Sequence, residues 1–211
     1  MKPSLLTRLT IPKDSNTLRI SACRILPDGI ENQTSLVDIE KNEIIQTITL
    51  SHYCDGVASD GETLVVSSTG SQSTRVNLNN MSHTILEGMG GVGCISLFHV
   101  NIYGIIPLEN KVCCFKSTGE PLWSFTHQDI DSPVGMTVDM NGFIYIASYE
   151  NNSIVVISTN GKTCKTIISE ADGIKYPYGI DINRETGMMI VSSKIKGDRN
   201  TDYGTVFVYR I

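Results

Sequence analysis

Short apolar runs separated by polar turns recur along the whole chain, and no stretch keeps a helical apolar period over three turns. Residues 55–68, 133–148 and 178–193 match one another in pattern. Each reads as an apolar strand, a polar turn carrying glycine (Gly61, Gly142, Gly187), and a second apolar strand that ends in serine (Ser68, Ser148, Ser193). Residues 93–106 are a looser copy with Asn101 in the turn. The second strands end near residues 68, 107, 148 and 193, a period of about 40–45 residues that suits four-stranded propeller blades.

The second half of the unit repeats as well. Asn110-Lys111-Val112-Cys113-Cys114-Phe115 leads to Thr118-Gly119, and Ser153-Ile154-Val155-Val156-Ile157 leads to Asn160-Gly161. Both dipeptides suit hairpin turns that need positive φ. Outer strands follow at 121–125 and 163–169, and residues 35–39 and 43–50 supply a third and fourth strand near the N-terminus. The expected fold is therefore all-β: a single propeller of about five four-stranded blades, at roughly 19–50, 52–87, 91–128, 130–169 and 174–211. The last unit stops at its third strand, so residues 4–11 are expected to close it as an added outer strand. The first unit lacks about six residues of a second strand after Gly29. A degenerate blade and a truncated or spliced copy both account for that gap.

The segment Pro133-Val134-Gly135-Met136-Thr137-Val138-Asp139, followed by Gly142-Phe143-Ile144-Tyr145-Ile146-Ala147 and by Asn152-Ser153-Ile154-Val155-Val156-Ile157, resembles an NHL repeat. Ser148 stands where that family usually places Asp, and Pro177-Tyr178-Gly179-Ile180-Asp181-Ile182 is a second match. More narrowly, the chain is similar to the C-terminal NHL propellers of tripartite-motif proteins. In those proteins a RING, B-box zinc domains and a coiled coil supply ubiquitin-ligase activity. None of these is present here, so the resemblance implies a platform that recognises substrate or partner proteins for a ligase. Some family propellers bind single-stranded RNA instead.

Composition narrows the alternatives. With 211 residues, 40% hydrophobic and 18% charged, the chain is long enough to bury a core. A net charge of −5 exerts no general pull on phosphate backbones. No apolar run approaches the ~20 residues of a membrane span, and Arg8 interrupts the leader-like start, so a cytoplasmic protein is expected. Six cysteines form no C-x-x-C pair and read as buried free thiols; Cys113 and Cys114, adjacent on a strand, should point to opposite faces.

Several motifs mimic sites. Gly88-Met89-Gly90-Gly91-Val92-Gly93 fits the dinucleotide glycine pattern, but a strand rather than a helix follows it. Asp198-Arg199-Asn200-Thr201-Asp202 lacks the glycine and terminal glutamate of a calcium loop. His127-Gln128-Asp129-Ile130-Asp131 has no second histidine at a supporting spacing, so no metal, cofactor or catalytic residue is expected. The candidate surface is the face made by the fourth-to-first and second-to-third strand loops. Its candidate binding residues are His52, Tyr53, Asn110, Tyr149, Asn151, Tyr176, Tyr178, Lys194, Lys196, Arg199 and Tyr203. Tyrosines with a few cations suit protein hot spots or base stacking. Because Lys and Arg gather on one blade only, a protein partner is expected ahead of RNA, with no membrane or small-molecule cofactor.

Overall fold

A computed structural model describes residues 32–38, 41, 43–70, 72–196 and 202–211. Among these residues five antiparallel sheets follow one another in sequence. Strands β1 (Gln33–Asp38) and β2 (Glu43–Thr49) form a two-stranded sheet. The first blade comprises β3 (Gly56–Ser59), β4 (Thr63–Ser67), β5 (Ser73–Asn77) and β6 (His83–Leu86). The second comprises β7 (Ile95–Phe98), β8 (Asn101–Ile106), β9 (Lys111–Lys116) and β10 (Pro121–Thr126). The third is β11 (Pro133–Val138), β12 (Ile144–Ser148), β13 (Ser153–Ile157) and β14 (Cys164–Ile168). The fourth holds three strands, β15 (Ile180–Asn183), β16 (Met188–Lys196) and β17 (Asp202–Arg210).

Within each blade, strands pair in sequence order, and the innermost strands β3, β7, β11 and β15 pack successively against one another. This is a β-propeller arrangement of four blades. The sequence pattern counts about five, and the described residues hold only the β1–β2 sheet of the additional unit. The rest of that unit (residues 19–31) and the closing strand expected at 4–11 lie outside the described residues.

Strand alternation builds the core. In β12, Ile144 and Ile146 enter the cluster shared with the second blade, whereas Tyr145 and Ala147 enter the one shared with the fourth. Likewise Leu64 and Val66 face the β1–β2 sheet while Val65 faces the second blade. The middle strands of the first three blades are consequently buried on both faces, whereas β16 of the fourth buries Met189 and Val191 and exposes Met188 and Ile190. The outer strands β10 and β14 are mostly exposed or half-buried, with Ile168 buried at the end of β14. Each fully buried Ile or Leu contributes about 1.5–3 kcal/mol, so the blade-to-blade seams carry the stability.

Close approach of backbones explains the glycines at the inner strands. A Cβ on Gly56 would lie 2.1 Å from the carbonyl oxygen of Gly93, and one on Gly135 would lie 2.2 Å from that of Tyr178. The predicted hairpin turns at Gly119 and Gly161 adopt φ of 88° and 65°. The glycine-rich run at 88–93 links the first two blades, starts in a single 3-10 turn (Glu87–Met89) and leads into β7 rather than into an α-helix, which removes the dinucleotide reading.

Candidate interaction surface

Strand direction alternates, so the β2–β3, β6–β7, β10–β11 and β14–β15 connections gather at one end with the β4–β5, β8–β9 and β12–β13 loops. Two repeated devices hold these loops. Asn110 and Asn152 close the second-to-third strand loops in the left-handed region, at φ of 49° and 48°. Each side-chain oxygen accepts a backbone N–H from the linker of the following blade, Ser132 at 2.9 Å and Tyr176 at 2.8 Å. Those two linker residues are themselves left-handed, at φ of 48° and 45°. The amide of Asn110 also donates to Asp131 Oδ1 at 3.2 Å. Asn110 is thus a clasp between blades, and Asn152 is its counterpart one blade further on.

The second device uses two equivalent serines of the second strands, Ser148 at the end of β12 and Ser193 within β16. Ser148 Oγ accepts the Asp131 N–H at 2.8 Å and lies 3.1 Å from the Asp131 carbonyl, to which it donates. Ser193 Oγ engages both the N–H and the carbonyl of Lys175 in the same way. A hydroxyl both donates and accepts, so serine satisfies two linker groups with one atom.

His52 sits at 6% exposure with its ring nitrogens 2.7 Å from the Tyr53 carbonyl and 2.7 Å from Thr74 Oγ1. It braces the loop from within. Tyr53 and Tyr178 project outward at 59% and 64% exposure. Tyr149 and Tyr176 are half-buried and touch, with ring centroids 5.0 Å apart, and Asn151 donates to the Gln128 carbonyl. Lys194, Lys196 and Tyr203 belong to β16 and β17, where the backbone pairs Lys194 with Gly204 and Lys196 with Asp202. Arg199 lies outside the described residues. Leu108, absent from the sequence-based set, stands at 95% exposure on the β8–β9 loop. Its signal was a leucine in an otherwise polar loop, between Pro107 and Glu109.

The loops of this face are acidic. They carry Asp55, Glu87, Glu109, Asp129, Asp131, Glu150, Glu170 and Asp172, against Lys175 as the lysine among their described residues. Lys175 is itself 3.2 Å from Glu170. An open depression of about 480 Å³ lies between the second and third blades, lined by Asn110, Thr126, His127, Gln128, Ile130 and Asp131. A separate groove of about 640 Å³ runs between β14 and β17 at the rim, lined chiefly by apolar side chains such as Val156, Ile167 and Met189.

These features define the chain as a β-propeller arrangement whose loops are fastened blade to blade. No family model matches it, and no curated protein does. Solved structures do: the chain is similar to Kuenenia stuttgartiensis hydrazine synthase with a TM-score of 0.67 at 11% identity, over 85% of this chain and 57% of that one. A protein of unknown function from Bacteroides caccae matches with a TM-score of 0.53 at 12% identity, over 85% of this chain and 69% of that one. The chain therefore spans little more than half of the hydrazine synthase chain, and the likeness establishes the fold. Among the described residues, no helix is long and apolar enough to cross a membrane.

Proposed function

We propose that this chain is an NHL-type propeller that serves as a non-enzymatic platform for recognising a protein partner, and that the partner presents a basic segment. The observation that carries this reading is the acidic loop face from which Leu108, Tyr53 and Tyr178 project. Aromatic and aliphatic side chains on rigid loops are the usual anchors of protein interfaces, and acidic surroundings favour Lys and Arg in the partner. The same charge repels phosphate, which disfavours RNA. The resemblance to tripartite-motif propellers supports partner presentation to a ubiquitin ligase in the cytoplasm. In this reading β1 and β2 are the outer half of a fifth blade.

The test is selection of peptides from a random display library on the purified chain, beside a random single-stranded RNA pool at about 50 and about 200 mM salt. Peptides rich in Lys and Arg are expected, with binding at least ~10-fold weaker for Leu108→Ala and for Tyr178→Ala. Enrichment of an RNA motif with steep salt dependence, and no peptide, would overturn the reading.

A further inference from the structure

The β10–β11 linker carries His127 and Asp129, and β14 of the next blade carries Cys164, 35 residues beyond Asp129. Folding brings a ring nitrogen of His127, a carboxylate oxygen of Asp129 and the sulfur of Cys164 within 4.8 Å of one another. We propose that these three side chains form a site for a divalent metal of the zinc class, which staples the second blade to the third.

The donor set decides the class. Imidazole, thiolate and carboxylate together match zinc, whereas hard cations such as calcium and magnesium take oxygen ligands alone. One thiolate and one carboxylate also neutralise a divalent charge. Bonds of about 2.0–2.3 Å place tetrahedral ligands about 3.3–3.8 Å apart, so the observed cluster needs to contract by about 1.5 Å at most. His127 Nδ1 already stands 3.6 Å from Asp129 Oδ1. It accepts a hydrogen bond from the Asp129 N–H at 3.2 Å, a long contact that a metal on Nδ1 would replace.

The supporting groups are also in place. Thr166 Oγ1 donates to Asp129 Oδ2 at 3.3 Å, orienting the carboxylate as an outer-shell partner does. The His127 ring stacks on Phe125 at 9° between planes, with centroids 6.1 Å apart. His127 is exposed and also borders the open depression beside Asn110, so the site is open to solvent from the histidine's side. No role in partner recognition is needed for this site, and its test is independent of that reading.

The experiment is zinc titration of the purified full chain under reducing conditions by calorimetry, with cobalt(II) as the spectroscopic probe. One Zn²⁺ per chain is expected, together with a thiolate-to-cobalt charge-transfer band and a zinc-dependent rise in Tm. His127→Ala and Cys164→Ser should each weaken binding at least ~10-fold, and Cys164→Ser should abolish the charge-transfer band. His127 is exposed and Cys164→Ser conserves shape, so both variants retain the fold. Absence of saturable binding, or binding and cobalt spectrum unchanged in both variants, would overturn the proposal.

Discussion

Gly135 shows how a single missing Cβ holds the propeller together. The backbone of the neighbouring blade occupies the place of a side chain, with the Tyr178 carbonyl oxygen 2.2 Å from where a Cβ would be. Gly135→Ala should cost more than about 2 kcal/mol in urea unfolding, because backbone cannot yield as a flexible side chain can. Gly61→Ala separates this from ordinary turn strain. Its φ is 97° but nothing lies within 4 Å, so about 1 kcal/mol is expected. Two neighbouring thiols make a second residue-scale case. Cys113 faces the first-blade seam and Cys114 the third-blade seam, as strand alternation requires. Burial pushes both thiols from an ordinary 9.0 up to about 11. Folding therefore favours their protonated forms. Their contribution is complete below about pH 9 and is lost as pH rises from about 9 to about 11. Thermal melts across that range should fall less steeply for the Cys113→Ala/Cys114→Ala protein than for the wild type.

At the scale of elements, the loops owe their order to the Asn clasps rather than to their own turns. Asn152 spends the unfavourable left-handed conformation to aim its side-chain oxygen at the Tyr176 N–H of the next blade. Asn152→Ala should destabilise the chain by about 1–2 kcal/mol and speed amide exchange in the β14–β15 linker. Asn152→Asp keeps the acceptor and should retain most of the stability. Sequence pattern located these strands well: residues 35–39 and 43–50 were expected where β1 and β2 run, and the last strand where β17 runs. The clasps were not legible, since a residue and its partner lie 22 to 24 positions apart in different repeats.

At the scale of the molecule, Arg184 ties three blades at the opposite end. From the β15–β16 turn its Nε donates to the Val138 carbonyl at 2.9 Å, and its Nη2 donates to the Leu97 carbonyl at 2.9 Å. Its guanidinium also lies 5.4 Å from the centre of the Phe98 ring. A planar fork with several donors suits this triple role, and lysine does not. Arg184→Lys should lower stability by about 1–2 kcal/mol in chemical denaturation and broaden the transition, as the fourth blade loosens from the second and third.

The repeat length, the strand–turn order and the positive-φ glycines were all legible in the chain, because they depend on local periodicity and on backbone sterics. The resulting propeller arrangement follows from burying both faces of the middle strands in the first three blades. What tertiary structure alone decided is which polar side chains remain outward. His52 turned inward onto Thr74, Asn110 became a clasp, and Leu108 emerged at the face. The meeting of Cys164 with His127 and Asp129 is of the same kind. Those outcomes depend on the angle at which one blade meets the next, a property of packed sheets that no single repeat contains.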